Sequence, residues 1–330
     1  MKKVANDSSE ELQQLFSQTA IKKKLDPGII EKDFWVCWML DYLFDQNKFK
    51  SQIEFKGGTS LSKAFNVISR FSEDIDLILD WRVLGLTDDV LWEKRSNTKQ
   101  SEFIRETNKR TSEFLHDSFL PVMRSDFDIL LKKEYRLSIL GEDQTITFAY
   151  PRMFDEKAVL QEIRLEIGVL GAWTPASIRQ ITPYVAEEYP RLFSKPEASV
   201  KTVDVERTFW EKATILHGEA FREDGQTPSR YSRHYYDMYC LIKSPIINTA
   251  IQRIDLLEKV VEFKKRFYYS FRAHYDLAKV GSLRLIPPDT SWPVLRSDYS
   301  NMKNMIFGEY PSFEEILDCL SDAEKRINAL

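Results

Sequence analysis

The sequence predicts an α+β protein, with a mixed sheet and flanking helices in its first part and helices alone in its second. The first part contains short segments in which apolar and polar residues alternate, which is the pattern of half-buried strands. These segments stop at Lys195 and Pro196. Beyond that point the apolar residues recur at helical spacing. The chain has 330 residues, of which 43% are hydrophobic, enough for two domains with separate cores. We therefore predict a first domain over 1–195 and an all-helical C-terminal domain over 196–330.

The elements are predicted from these two periodicities. Segments with strand alternation lie at 53–56, 74–80, 130–140, 145–150, 159–170 and 179–185. Segments with helical spacing lie at 7–24, 29–44, 61–68, 205–220, 235–242, 246–276 and 312–329. The segment 29–44 has almost no polar face, which predicts a helix buried on several sides. The highly charged segment 87–123 is predicted to be a helical insertion with a solvated face.

The composition excludes several classes of protein. Only 11 Gly, 13 Pro and 3 Cys exclude collagen-like, disordered and disulfide-rich chains. No run of about 18 apolar residues predicts a membrane span, and the polar segment after Val4 does not resemble a signal peptide. The cysteines are odd in number and far apart, which predicts reduced, buried thiols in a cytoplasmic protein. A net charge of −4 disfavours nucleic-acid binding over the whole surface but allows a local basic patch.

Two carboxylates in one predicted strand are the first candidates for chemistry. Asp74 and Asp76 are two residues apart, so in a strand they point to the same face, while the apolar residues between and after them enter the core. Adjacent carboxylates repel each other unless a cation lies between them, and hard oxygen ligands suit Mg²⁺. The pair therefore predicts a metal site, with an ordinary solvated strand edge as the alternative.

A pair of glycines between a strand and a helix is the second candidate. Because Gly57 and Gly58 lack Cβ, their backbone N–H groups can approach a phosphate closely. Thr59 and Ser60 add hydroxyl donors at the same turn. A tight turn without a ligand is the alternative, and the spacing matches neither a P-loop nor a dinucleotide fingerprint. Together, the glycine turn and the carboxylate pair predict a site for a nucleoside triphosphate.

A third carboxylate is expected on a neighbouring strand if two metal ions are to be held about 4 Å apart. In the segment 161–167 the isoleucines and the leucine share one face, which leaves Glu162, Arg164 and Glu166 on the other. Three ionised side chains on one face are costly without partners. An ordinary surface ladder of charges is the alternative. Glu166 is our candidate for the third metal ligand, and Glu162 is the second choice.

Four motifs together resemble those of the AbiEii/AbiGii family: Gly-Gly-Thr-Ser-Leu at 57–61, Arg-Phe-Ser-Glu-Asp-Ile-Asp-Leu at 70–77, Glu-Lys at 211–212 and Arg-His-Tyr-Tyr-Asp at 233–237. The members of this family are nucleotidyltransferases of the polymerase β-like superfamily and toxins of type IV toxin–antitoxin and phage-abortive systems. The resemblance implies a polymerase β-like nucleotidyltransferase domain that uses an NTP and Mg²⁺, with two ions expected. It also implies a separate antitoxin as partner and a tRNA 3′ end or another macromolecule as acceptor.

The resemblance assigns roles to residues of the first two motifs. Ser72, Asp74 and Asp76 match positions that the family needs for activity. Glu166 would replace an aspartate that the family carries on its second strand motif. In this mechanism the carboxylates hold the metal, the turn at 57–60 holds the β- and γ-phosphates, and Ser72 contacts a phosphate or orients Asp74.

Three later residues are candidates with open alternatives. Lys212 matches a family lysine near the triphosphate, but it lies in an apolar helix where its charge needs either a cleft or a partner such as Glu211 or Asp237. Asp237 is the best match to the catalytic aspartate of the last motif. Many relatives carry a further aspartate where this chain has His234. We expect His234 to be structural or to contact the substrate, because no second His or Cys lies at metal-ligand spacing.

The segment 264–275 combines basic and aromatic residues. The prediction is an amphipathic helix whose rings pack into the core. The alternative is an RNA contact, since cations suit a phosphate backbone and exposed rings can stack on bases.

The function predicted from these observations is Mg²⁺-dependent transfer of a nucleoside monophosphate to a macromolecular acceptor. Two other classes stay open. One is an enzyme of the same superfamily that modifies a small molecule or a protein, and the other is a nucleotide-binding module without catalysis.

Overall fold

The computed structural model describes residues 1–72, 74–139, 144–154, 161–171, 175–222 and 227–330. The chain divides into two compact units. Unit 1 contains Met1–Ala64 and Ser72–Thr202, and unit 2 contains Phe65–Phe71 and Val203–Leu330. None of the helices in the described ranges is long and apolar enough to cross a membrane.

Seven strands in the described part of the chain form one mixed sheet. They are β1 (Ile53–Lys56), β2 (Asp74–Leu79), β3 (Arg136–Ile139), β4 (Thr145–Ala149), β5 (Ile163–Gly168), β6 (Ala176–Ile181) and β7 (Ala198–Val203). The order across the sheet is β3-β4-β5-β2-β1-β7-β6. Strand β2 lies between an antiparallel neighbour, β1, and a parallel neighbour, β5. Residues on β2 therefore have partners on both sides.

The helices of unit 1 flank this sheet or belong to the insertion. They are α1 (Lys2–Ala5), α2 (Ser9–Lys23), α3 (Pro27–Asp41), α4 (Gly57–Lys63), α5 (Asp88–Trp92), α6 (Asn97–Phe114), α7 (Leu120–Leu130) and α8 (Tyr184–Glu188). Helix α3 starts where Asp26 accepts a hydrogen bond from the Gly28 N–H group and Pro27 takes the first helical position. Burial on several sides was predicted, and residues on every side of α3 are buried; the rings of Trp35 and Trp38 both pack on Phe148 of β4.

Unit 2 is helical. Its helices are α9 (Val205–Glu219), α10 (Ser232–Lys243), α11 (Ile246–Ala250), α12 (Ile254–Phe267), α13 (Trp292–Asn301) and α14 (Phe313–Asn328). Helix α14 begins with a capping box in which Ser312 and Glu315 exchange hydrogen bonds. The segment Phe65–Phe71 belongs to this unit because its end pairs with a distant segment. The Phe71 N–H group donates to the Met305 carbonyl over 2.8 Å, and the Phe307 N–H group donates to the Ser69 carbonyl over 2.6 Å.

The predicted fold class is confirmed: a mixed sheet with flanking helices and a helical insertion is followed by a helical C-terminal region. The insertion runs further than 87–123, because α7 extends to Leu130 and leaves only Arg136–Ile139 as strand. The ends of two predicted strands, at 140 and at 159–160, lie outside the described residues. The strand predicted at 179–185 lies earlier in the chain, because β6 runs from Ala176 to Ile181 and a short helix follows it.

Strand β7 and helix α13 are elements that the sequence did not predict, and β7 lies beyond the predicted boundary at 195–196. The inward positions of β7 include Ala198, Val200 and Thr202, so a small and a polar residue blur the apolar alternation. The single helix predicted over 246–276 is two helices, and α12 ends at Phe267. All three cysteines are free, but only Cys37 is buried, whereas Cys240 and Cys319 are half-buried.

Candidate active site

The predicted carboxylates of unit 1 lie on one face of neighbouring strands. Asp74 and Asp76 are half-buried on β2, while Ile75 and Leu77 are fully buried on its other face. The parallel register with β5 places Asp76 beside Glu166 and Asp74 beside Arg164. Paired residues of adjacent strands point to the same face. We call Asp74, Asp76 and Glu166 the β2 cluster.

The register distinguishes the two candidates for a third carboxylate. Glu166 lies within β5 and is exposed. Glu162 precedes the strand, and its Oε1 accepts a hydrogen bond from Arg164 Nε over 3.0 Å. Glu162 therefore forms an ion pair with Arg164, and Glu166 is the carboxylate that lies beside Asp76.

The glycine turn packs directly against the β2 cluster. Gly57 has a φ of +80°, a backbone conformation that favours glycine, and a Cβ added there would lie 1.8 Å from Asp76 Oδ2. The position therefore requires glycine for two independent reasons. Lys56, the residue before the turn, lies directly opposite Asp76 across β1 and β2. This cation at the site was not predicted, although its place next to the glycine pair was visible in the sequence.

The two hydroxyl residues of the turn are buried and already donate hydrogen bonds within the protein. Thr59 Oγ1 donates to the backbone carbonyl of Asp74 over 2.5 Å, and Ser60 Oγ donates to the carbonyl of Gly57 over 2.8 Å. These bonds tie α4 to β2 and close the turn on itself. Gly58 is half-buried at the same turn, and Ser72 is half-buried just before β2.

A buried ion pair fixes the far end of α4. Lys63 Nζ lies 2.6 Å from Asp33 Oδ1 of α3, and Asp33 Oδ2 accepts a hydrogen bond from the Tyr184 N–H group over 2.7 Å. The ammonium group also lies 4.1 Å from the centre of the Tyr184 ring. Because both ends of this seven-residue helix are held, the glycine turn has a fixed place beside Asp76.

The residues fit a metal ion that is bound together with its substrate. Within the described ranges, no three side chains of His, Cys, Asp or Glu are gathered as in a preformed metal site. Mg²⁺ in nucleotide sites is commonly held by one or two carboxylates together with substrate phosphates and water. Asp74 and Asp76 lie on one face, with the Asp76 carboxylate packed against the glycine turn, and supply the carboxylates for such a site.

The predicted residues of unit 2 form a second, buried cluster. Asp237 of α10 is 0% exposed, and Arg70 and Lys212 beside it are 5% and 6% exposed. Arg70 binds both carboxylate oxygens, Nε to Oδ1 over 2.6 Å and Nη2 to Oδ2 over 2.8 Å. Lys212 Nζ of α9 lies 2.7 Å from Oδ2. We call Arg70, Lys212 and Asp237 the Asp237 cluster.

The charges in this cluster shift the pKa values of its members. Burial alone would raise the pKa of Asp237, but the neighbouring Arg70 and Lys212 charges hold it below its ordinary value. Burial lowers the pKa of Lys212, and Asp237 opposes that shift. His234 Nδ1 lies 3.4 Å from Lys212 Nζ, and burial together with the Lys212 charge lowers the His234 pKa well below its ordinary value. Its imidazole is therefore neutral at pH 7.

The sequence offered two ion-pair partners for Lys212, Glu211 and Asp237, and in the structure the partner is Asp237. Glu211 instead accepts a hydrogen bond from Arg207 Nε over 3.0 Å. Arg70 was not among the predicted site residues, although it begins the Arg-Phe-Ser motif. No local pattern reveals its contact, because its partner lies 167 positions later in the chain.

Known proteins are similar to this chain in sequence or in fold. Residues 38–319 match the family model described as "Nucleotidyl transferase AbiEii toxin, Type IV TA system". No curated protein matches the chain. Among solved structures, the chain is similar to the nucleotidyltransferase toxin MenT4 from Mycobacterium tuberculosis H37Rv, with a TM-score of 0.48, 14% identity, and coverage of 96% of this chain and 97% of MenT4. It is also similar to JHP933 from Helicobacter pylori, with a TM-score of 0.42, 14% identity, and coverage of 91% and 92%.

Proposed function

The chain belongs to the AbiEii family of nucleotidyltransferase toxins of type IV toxin–antitoxin systems, and from this premise we propose that it transfers a nucleoside monophosphate from an NTP to the 3′ end of a tRNA with the help of Mg²⁺. The observation that carries the proposal is the β2 cluster, in which two carboxylates share a strand face and Asp76 is in register with Glu166. The family also implies a cognate antitoxin, and we propose that the protein acts in the cytoplasm, where NTP and tRNA occur together.

In this proposal Asp74 and Asp76 would hold Mg²⁺ together with the triphosphate, and Glu166 would complete a site for two ions. Bound Mg²⁺ supplies charge neutralisation on the phosphates and lowers the pKa of a bound hydroxyl. Glu166 is exposed, so it can also accept a hydrogen bond from the acceptor hydroxyl. The hydroxyl proton passes to Glu166, the hydroxyl oxygen forms a bond to the α-phosphorus, the bond from the α-phosphorus to the oxygen that bridges it to the β-phosphorus breaks, and pyrophosphate leaves.

The glycine turn would contact the β- and γ-phosphates through its backbone. Gly57 and Gly58 are half-buried and expose no side chain that would keep a phosphate away. Thr59 and Ser60 support this site indirectly, since the Thr59 hydroxyl holds the turn against β2 and the Ser60 hydroxyl donates to the Gly57 carbonyl within the turn. Ser72 and the cation of Lys56 are further candidates for phosphate contacts.

We propose that Asp237 is a positioning residue. It is fully buried and binds two cations, which suits a group that orients Arg70 and Lys212 and does not suit one that touches the reacting atoms. Lys212 remains the residue that the family resemblance assigns to the triphosphate. Its ammonium group is kept in place by the carboxylate of Asp237.

The test is to incubate the purified protein with total tRNA, Mg²⁺ and each α-³²P-labelled NTP in turn. Label in tRNA with the wild type, and none with Asp74→Asn/Asp76→Asn, is the expected result and also identifies the nucleotide. If no NTP labels tRNA while triphosphate binding is retained, the acceptor is a protein or a small molecule. If the double variant labels tRNA as the wild type does, the proposed metal site is wrong.

A further inference from the structure

The segment after α12 exposes three aromatic rings. Four aromatic side chains in the described part of the chain are exposed, and three of them are Tyr268, Tyr269 and Phe271. Tyr269 is 67% exposed and Phe271 is 78% exposed, whereas Phe263 and Phe267 of the preceding helix are buried. The predicted packing of these rings into the core therefore holds only as far as the end of α12. Clustered exposed rings commonly mark a binding surface.

A cavity of about 720 Å³ opens beside these rings, within unit 2. Its walls come from the C-terminal half of α9, the start of α10 and the segment 270–275. Its aromatic lining includes Phe221, Tyr231, Phe271, His274 and Tyr275. A cavity of this size and lining accommodates flat, partly apolar groups.

The segment that ends in the cavity wall is basic, although the whole chain carries a net charge of −4. The segment 264–275 contains four cations, Lys264, Lys265, Arg266 and Arg272, and no acidic residue. In the cavity, the carboxylate of Glu219 is bound by Arg222, with N–O distances of 2.6 and 2.9 Å. The charges of Glu219 and Arg222 thus offset each other, and Arg272 contributes a further cation to the lining.

We propose that this surface, made of Tyr269, Phe271, Arg272 and the adjoining cavity, binds unpaired nucleotides of an RNA. Bases stack on the exposed rings, and the phosphates lie along the cations, the combination used for single-stranded nucleic acids. A duplex keeps its bases stacked on each other, so the surface favours single strands. That this RNA is the acceptor rests on the proposed function, whereas the binding itself does not.

The test measures the affinity of the full-length protein for an end-labelled, unstructured single-stranded RNA and for a duplex of the same sequence, by fluorescence anisotropy. We expect Phe271→Ala and Tyr269→Ala each to bind the single strand about tenfold more weakly. Trp92→Ala, which removes an exposed ring in unit 1, is the matched control and should bind like the wild type. Since Tyr269 and Phe271 are mostly exposed, thermal unfolding of their two variants should be unchanged.

The inference is overturned if Phe271→Ala and Tyr269→Ala both bind the single strand as tightly as the wild type does. It is also overturned if these variants lose antitoxin binding while they still bind RNA. If the variants bind RNA normally and the wild type labels tRNA, the proposed function stands and only this surface is wrong. If the two variants lose RNA binding but the wild type labels no RNA with any NTP, the surface stands and the proposed acceptor fails.

Discussion

The β2 cluster and the Asp237 cluster contain the same kind of carboxylate but place it in opposite surroundings. Asp74 and Asp76 are half-buried and Glu166 is exposed, so solvent and ligands can reach them. Asp237 is fully buried between a guanidinium and an ammonium group of the protein. The first arrangement is open to a cation that arrives with a substrate, whereas the second binds two cations of the protein in its interior. Burial, more than residue type, separates these two roles.

The largest effect on stability is expected from the buried cluster. Asp237→Asn leaves Arg70 and Lys212 buried without their shared counter-charge, which should lower the free energy of unfolding by about 3–5 kcal/mol. Urea unfolding measures this loss. Asp322→Asn is the matched control, because Asp322 pairs with Lys325 at the surface of the same unit and should leave stability unchanged. Equal stability of both variants would show that the Asp237 cluster is not a structural element.

The glycine turn offers a test of how closely the β2 cluster is positioned. Gly57→Ala forces Asp76 to move, since its carboxylate occupies the place of the new Cβ, and transfer should fall about a hundredfold. Gly85→Ala is the matched control: Gly85 also has a positive φ, of +73°, but a Cβ there meets open space. Both variants carry backbone strain, so only the contact with Asp76 differs. Equal transfer rates in the two variants would contradict the proposed role of this contact.

The two cations of the buried cluster should not be equivalent. Arg70→Met removes the partner that makes two hydrogen bonds to Asp237. Lys212→Met leaves those two bonds intact and removes an ammonium group whose charged form is already disfavoured by burial. We expect Arg70→Met to cost at least about 1 kcal/mol more free energy of unfolding than Lys212→Met. Thermal or urea unfolding of the two variants decides this. The reverse order would mean that Lys212 is the main partner of Asp237.

The smallest effect is a pH dependence. The pKa of Asp237 is lower in the folded protein than its unfolded value of about 3.9, so its ionisation stabilises the fold above that pH. This contribution is lost as the pH falls from about 4 towards the folded pKa. The stability difference between the wild type and Asp237→Asn should therefore be constant near neutral pH and narrow below pH 4. A difference that widens in acid would contradict the lowered pKa.

The two regions also differ in how far the sequence could predict them. The shared face of Asp74 and Asp76 follows from strand alternation, which is a local property. The choice between Glu162 and Glu166 needed the register of β2 against β5, because alternation places both on the same face. The contact of Arg70 with Asp237 joins segments far apart in the chain, so no periodicity could reveal it. The exposure of the rings after α12 could not be predicted either, because the helical spacing of apolar residues did not show where α12 ends.

The most direct test of this account measures transfer to tRNA and the free energy of unfolding in the same set of variants. Asp76→Asn should lower transfer at least about a hundredfold and cost much less stability than Asp237→Asn, because Asp76 is half-buried and solvent can replace the contacts of its charge. Asp237→Asn should lose stability as described, and Asp117→Asn, an exposed position of unit 1, should change neither quantity. Retained transfer in Asp76→Asn, or a loss of stability as large as that of Asp237→Asn, would contradict the assignment of the β2 cluster as the catalytic site.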